Sequence, residues 1–304
     1  MKVRNRHMRT SIADKTVDVF IYALLLVMSI LFVYPLYQVA VASVSDPSVV
    51  MKQNGLLLFP GSIQFDAYKI VFSNGNIGRG FLNTLLYMVL GTAFQYVITV
   101  LTAFALSKKS AMLKKPLMIY MLITMYFSGG LIPYFLLINN LGLMNSRLVL
   151  ILPYGVNVWN IIIMRTQFLN IPESLSEAAY MDGAKDYQVL LRVFVPLSGA
   201  VSAVLILFTA VMYWNMWFDP MIYLTERSKY PLQSILREIL IDNNAQMMAG
   251  SGRVKVRVST LNNDSFKTLV KYAIIMVGTV PILCIYPFLQ KYFVKGVMVG
   301  SLKG

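Results

Sequence analysis

The chain has 304 residues, 57% of them hydrophobic and only 13% charged, about half the charged share of a soluble domain. A soluble fold of this length needs far more polar surface, so the composition is that of an integral membrane protein and excludes a cytosolic or secreted globular one. A single Cys rules out a disulfide framework and, with a single His, leaves little for a metal site; the net charge of +14 fits Lys and Arg kept in cytoplasmic loops rather than nucleic-acid binding.

In chain order, residues 1–18 form a basic N-terminal segment with Lys2, Arg4, Arg6, Arg9 and Lys15. A hydrocarbon core takes roughly 20 apolar residues per helix. Six stretches meet this, at 19–45, 82–106, 116–138, 148–164, 195–218 and 272–290, and none contains Asp, Glu, Lys or Arg. The first has a basic start and Ala40-Val41-Ala42 in the manner of a signal-peptide cleavage site, but its apolar run is far longer than a signal core, so it is expected to be a retained helix. Lys108, Lys109, Lys114 and Lys115 follow the second span, and Lys291, Lys295 and Lys303 lie in the tail 291–304. Alternating spans put these groups and the N-terminus on one side, so both termini are expected in the cytoplasm. The basic segment 219–268 must then be extracellular, a mild tension with the positive-inside rule even though long loops weigh less in it.

Two outer segments, 46–80 and 219–268, are long enough to fold; the first reads as turns with a short interfacial helix, the second as holding a helix over 231–243 opened by Pro231. Pro and Gly inside spans (Pro35, Gly129-Gly130, Pro133, Pro153, Gly155, Gly278, Pro281, Pro287) have two readings, ordinary membrane-helix usage or hinges and cavity linings.

Several chemistries are missing. No GxxxxGK[ST], HExxH, CxxC or GxSxG occurs, so no catalytic residue or metal ligand is named. No span holds the acid or His usual in a proton relay, although a sodium site built from carbonyls stays open. Energy for uphill transport would have to arrive through another subunit.

The loop 170–196 stands apart. Ser174 and Glu177 have capping-box spacing, which predicts a helix from Ser174 to Gly183, and a second helix is expected from Asp186 to Phe194, leading to Pro196. Glu177, Asp182 and Asp186 make this loop acidic among basic neighbours, and Ala178 and Ala179 give it a small, approachable surface. The residues alone allow either a docking knob or a solvated connection.

The run Glu177-Ala178-Ala179, three residues, Gly183, nine residues, Val193-Phe194-Val195-Pro196 resembles the EAA loop of ATP-binding-cassette importer permeases, with Val193 and Val195 as conservative departures from I-x-L-P. Asp182-Gly183-Ala184, the stretch Tyr213-Trp214-Asn215-Met216-Trp217-Phe218-Asp219-Pro220 and Tyr230-Pro231-Leu232-Gln233 are similar to the carbohydrate-uptake, maltose-type second membrane subunits. The tail 290–304 is similar to complex-oligosaccharide permeases of Gram-positive bacteria. The resemblance implies an all-α polytopic protein of the bacterial cell membrane, with 19–304 as its transmembrane domain. It implies an oligosaccharide substrate and a heterodimeric pairing with a second, homologous permease subunit. It also implies two ATPase subunits, which bind the ATP and Mg, and a solute-binding lipoprotein; no cofactor is implied in this chain. Glu177 would make the polar docking contact, Ala178 and Ala179 would pack on the ATPase, Asp182 would belong to the same patch, and Gly183 would turn the chain. The tail from Lys295 to Gly304 would add contacts to the ATPase interface.

A sugar path needs aromatic faces beside fixed polar groups, and Tyr213, Trp214, Asn215 and Trp217 offer both, although an interfacial aromatic belt explains the same residues. Tyr120, Tyr126 and Tyr134 are weaker candidates, with Gly129-Gly130 and Pro133 placed to break their helix. A permease of the same superfamily for a non-sugar solute, and an independent ion-coupled secondary transporter, remain as alternatives.

Overall fold

A computed structural model describes residues 12–52, 57, 59–108, 112–242 and 268–284. Among these the secondary structure is helical, with no strand. They divide into two compact units, one of residues 12–71 with 268–276, the other of 72–242 with 277–284.

In the first unit, α1 (Ile12–Ser43) is one helix carrying Pro35 inside it. Its stretch Lys15–Ser43 reaches a mean hydropathy of 2.5 with none of that window buried by the chain. That is long enough to span a membrane. Polar groups stop it cleanly: the Ser45 hydroxyl donates to the Val41 carbonyl at 2.6 Å, and Ser43 shares a 2.8 Å hydrogen bond with the Tyr68 hydroxyl. The outer segment then forms α2 (Pro47–Lys52) and α3 (Asp66–Ser73), two short helices where one was expected.

The second unit is organised around α4 (Gly75–Ser107), with a mean hydropathy of 1.8. Its N-cap is Asn74, whose side chain accepts the Asn76 N–H. After it, the expected third span is broken. Helix α5 (Lys114–Tyr126) and α6 (Leu131–Asn140) meet at 115°. Gly130 makes the break possible, because its φ of +84° is a conformation side chains rarely adopt. Two 3₁₀ turns, Arg147–Leu150 and Leu152–Tyr154, then meet α7 (Val158–Leu169) at 44°. The loop helix α8 (Glu173–Met181) follows. Next, α9 (Asp186–Val189) runs through a π turn at Leu190–Phe194 into α10 (Val195–Leu197). Pro196 explains the widened turn: it has no N–H to give the ladder, and its ring would press on the carbonyl four residues back. The chain turns by 84° at Ser198 into α11 (Gly199–Trp214). After it come α12 (Phe218–Tyr223) and α13 (Leu232–Asp242), the helix expected after Pro231. The last described helix is α14 (Thr268–Cys284), of which 268–276 belong to the first unit and 277–284 to the second.

Two described helices are therefore long and apolar enough to cross a membrane alone, and five spans result if each bent pair is one crossing. Residues 285–290 of the expected sixth span, and the tail 291–304, lie outside the described residues, as do most of 219–268 beyond Asp242.

Helices α7 and α11 pack across α4, and polar residues join the three. The Gln95 carbonyl oxygen accepts from Thr209 Oγ1 at 2.5 Å and from Asn160 Nδ2 at 3.1 Å, while Gln95 Nε2 donates to the Tyr154 carbonyl at 2.6 Å. All three side chains are buried. In a lipid environment such groups must find partners inside the protein. Gln95→Leu should take the acceptor from the Thr209 hydroxyl and the donor from the Tyr154 carbonyl together, leaving the Asn160 amide only its 3.4 Å bond to Thr209. It should cost about 1–3 kcal/mol, seen as a lower Tm of the detergent-solubilised protein, and an unchanged Tm would deny the network any weight.

Candidate functional site

The C-terminal end of α4 carries the loop 170–196. Its root is apolar: Val189, Leu190 and Phe194 are buried with Val100, Ala103, Phe104 and Leu106 of α4, Ile161, Met164 and Phe168 of α7 and Leu205 of α11. Three phenylalanines meet edge to face, with Phe104–Phe194 ring centroids 5.1 Å apart, Phe168–Phe194 5.3 Å and Phe104–Phe168 6.4 Å. Such pairs are worth about 0.5–1.5 kcal/mol each beyond the buried area. The Arg165 Nε donates to the Leu106 carbonyl at 3.0 Å, tying α7 to the end of α4. The loop thus stands on a packed base.

The sequence places the start of α8 one residue late. The helix begins at Glu173 with Pro172 as N-cap and no side-chain cap, so the expected Ser174–Glu177 capping box does not form. Pro172, with φ near −56°, already sets the first turn, and a proline needs no partner for an N–H it lacks. The other end is as expected. Gly183 has φ +80°, its N–H donates to the Tyr180 carbonyl at 3.0 Å, and the Ala184 N–H donates to the Ala179 carbonyl at 3.0 Å. These two bonds are the Schellman pattern that closes a helix on a left-handed glycine. The second helix starts at Asp186 and remains helical through Leu197, past the expected Phe194.

Glu177, Ala178, Asp182 and Gly183 are exposed. Glu177 makes no hydrogen bond or ion pair with the described residues. Ala179 is half-buried and packs, with Ala184, on the chain's own core, so the two alanines face different ways. What shares the outer face with Ala178 is Leu175 and Met181, the latter 88% exposed. Leu175, Ala178 and Met181 recur every three residues and lie on one stripe of the helix.

Sequence reasoning missed what binds α8 to the scaffold. Tyr180 donates its hydroxyl to Asp186 Oδ1 at 2.6 Å, and Lys108, just past α4, reaches the same carboxylate at 3.1 Å and hydrogen-bonds the Tyr180 oxygen. The ammonium also lies 4.6 Å from the ring centres of Phe104 and Tyr180. In the sequence Lys108 was only one charge of a topological cluster, with Lys109 directly after it, and nothing local set it apart. The Tyr180 hydroxyl, and after it Lys108, hold the Asp186 carboxyl below its ordinary range. Burial works against the Lys108 charge most, but Tyr180 and Asp186 together outweigh it and leave Lys108 above the usual lysine value. The depressed acid contributes stability above its unfolded pKa and loses it as pH falls through the folded value. The raised base contributes below its unfolded pKa and loses it as pH rises through its own. Protection of the 186–190 amides from hydrogen exchange should therefore be constant from about pH 5 to 9 and weaken only beyond those limits. Loss of protection near pH 7 would refute the link.

At the C-terminal end of α11, the four aromatic and polar residues of the expected sugar path separate. Tyr213 and Trp214 are buried, with Trp214 Nε1 donating to the Gly278 carbonyl at 3.0 Å. Asn215 is exposed and Trp217 half-exposed. Tyr213 packs on Gly91 of α4 and, with ring centres 6.1 Å apart, on Tyr154. Its hydroxyl has no partner among the described residues. Tyr213→Phe should leave the Tm unchanged or slightly higher, since nothing is lost but an unsatisfied buried hydroxyl; a drop of several degrees would reveal a partner for it. Of the weaker candidates, Tyr120 and Tyr126 are exposed on α5, and Tyr134 on α6 sits edge-on to Tyr223 with ring centres 6.1 Å apart.

The outer segment is strapped to α4 by polar groups. Asn83 Nδ2 donates to the carbonyls of Ser228 and Tyr230 at 2.8 and 3.0 Å, Tyr87 donates to the Lys229 carbonyl at 2.7 Å, and the Leu232 N–H donates to Thr84 at 2.8 Å. On the α4 side, Asn83, Thr84 and Tyr87 carried no motif in the sequence, whereas Tyr230 and Leu232 belong to the run Tyr230-Pro231-Leu232-Gln233.

No family model matches the chain. Among curated proteins it is 36% identical over 96% of its length, and 99% of the relative's, to the polygalacturonan/rhamnogalacturonan transport system permease protein YtcP of Bacillus subtilis. It is 35% identical, over 84% of both chains, to protein LplC of the same organism. Among solved structures, a chain of a bacterial ABC transporter involved in import of the acidic polysaccharide alginate superposes with a TM-score of 0.84 and 32% identity, covering 93% of this chain and 98% of that one. Likeness of this extent, on a structure that presents a glycine-closed EAA helix from a packed base, places the chain in the family of permease subunits of carbohydrate ABC importers.

Proposed function

We propose that the chain is the membrane-spanning permease subunit of an ATP-driven, binding-protein-dependent importer of oligosaccharides, and that it crosses the bacterial cell membrane six times with both termini in the cytoplasm. Its partners are a second, homologous permease subunit, two ATP-binding-cassette ATPase subunits that hold the ATP and Mg, and a solute-binding lipoprotein outside. The observation that carries this reading is the outer face of α8, where Leu175, Ala178 and Met181 stand exposed beside an unpaired Glu177. An apolar stripe with one free charge, on a helix fastened from behind, suits a protein socket better than water. Glu177 makes the polar contact, Ala178 lies against the cleft wall, Asp182 extends the acidic patch, and Gly183 holds the helix at its angle. Ala179 supports the docking face from within. At the outer mouth Asn215 and Trp217 meet the sugar, and Tyr213 and Trp214 form the packed wall behind them. The test is reconstitution of the whole assembly in liposomes. Uptake of an oligosaccharide should require ATP inside and the binding protein outside. Uptake by this chain alone, without ATP, would instead establish a self-contained secondary transporter.

A further inference from the structure

The outer mouth contains an arrangement that sugar stacking does not account for. Arg237 projects from the outward face of α13, opposite the buried Leu232, Ile235 and Leu236, and its guanidinium carbon lies 3.5 Å from the centre of the Trp217 ring. Trp217 is itself held in place: its carbonyl accepts the Ser234 hydroxyl at 3.0 Å, and its ring meets Phe218 edge to face at 5.4 Å. Neighbouring cations are neutralised by the chain's own acids. Arg227 pairs with Glu238 at 2.5 Å and Lys229 with Glu226 at 3.0 Å. Arg237 is exposed and has no carboxylate partner among the described residues, its one recorded contact being the indole.

We propose that Arg237, held flat on Trp217, is the carboxylate-reading group of the outer mouth, so that the imported oligosaccharide carries uronic acid residues. This rests on the oligosaccharide-import reading above and specifies its substrate class. The indole is a platform for the cation: it fixes the plane of the guanidinium and lowers the entropy lost on binding, while the N–H fork at the edge stays free. That fork matches a carboxylate with two parallel hydrogen bonds, which an ammonium cannot reproduce. The partly exposed site keeps the attraction moderate, as transport requires release as well as capture. Asn215, exposed two residues before Trp217, supplies a neutral polar group for hydroxyls. Trp217 thus serves the path through Arg237 rather than by stacking on a sugar face.

The complete importer in liposomes is supplied with trigalacturonate or with its carboxyl-reduced, neutral analogue, and uptake is compared for wild type, Arg237→Gln and Arg237→Lys. ATP hydrolysis and binding-protein affinity are measured alongside. Arg237→Gln should lower kcat/KM for the acidic trisaccharide about tenfold, with hydrolysis and neutral uptake unchanged, and Arg237→Lys should fall between. Equal transport of the acid by wild type and Arg237→Gln overturns the proposal. So does an equal loss of both sugars, which would assign Arg237 to lipid headgroups or to docking of the binding protein. If wild type carries only the acid, the lysine variant becomes the control, and uptake no better than that of glutamine overturns the charge-reading role. If wild type carries only the neutral sugar, the acid site is refuted while the import reading stands; uptake of neither sinks both.

Discussion

Gly183→Pro should abolish coupled transport in the assembled importer while leaving the permease pair in the membrane. Proline fixes φ near −65°, whereas this position sits at +80°, and it removes the N–H that closes α8 on the Tyr180 carbonyl. No atom lies within 4 Å of a Cβ built there, so the penalty is conformational rather than steric. That makes the position gradable. Gly183→Ala should cost about 1–2 kcal/mol of local stability, the usual price of a left-handed L-residue, and Gly183→Asn less. Binding-protein-stimulated ATP hydrolysis should follow the order Gly, Asn, Ala, Pro, with the last at background. Glu177→Lys, which alters no internal contact, should release the ATPase on co-purification without changing the Tm. Full coupling in both Gly183→Pro and Glu177→Lys would remove the docking role from α8.

The second large effect is expected at Gly91, in the middle of α4. A Cβ there would lie 2.1 Å from the Tyr213 ring carbon Cζ, and the buried ring has no room to retreat. Gly91→Val should therefore separate α11 from α4 and keep the protein from accumulating in the membrane. Overpacking of a filled core costs about 1–3 kcal/mol per added group set, and this contact joins the two most closely packed helices of the unit. Gly91→Ala with Tyr213→Ala should restore expression above either Gly91 variant alone, because the ring that blocks the new methyl is gone. Failure of that rescue, with Gly91→Ala itself folded, would show that α4 and α11 do not meet as described.

How much of this was legible beforehand differs by element. Apolar length and the absence of charge placed the long helices, since a span is fixed by bulk composition. Gly129-Gly130 with Pro133 marked the break between α5 and α6, and the spacing from Glu177 to Gly183 marked α8 and its end. The capping box at Ser174 was misleading because Pro172 already performs the task locally. The alanine pair was read as one surface, yet Ala178 and Ala179 are 100° apart on a helix and must face apart unless both are exposed. Likewise Tyr213, Trp214, Asn215 and Trp217 form one run in sequence and divide in space, two inward and two outward. Lys108 with Asp186, Gln95 with Asn160 and Thr209, and Arg237 with Trp217 were not legible at all. Each depends on a meeting between different elements, distant in the chain for the first two and 20 residues apart for the last, that no local pattern encodes.

The three phenylalanines at the base of the loop have a mechanical consequence. Phe194 touches Phe104 and Phe168 at nearly equal distances, one ring on each of two different helices. A push on the loop 170–196 is therefore shared between α4 and α7 from its first ångström. Sliding one helix past the other would flatten the edge-to-face arrangement, whereas moving both together leaves it intact. The base behaves as a yoke rather than a lever, and the two helices it joins should travel as one body.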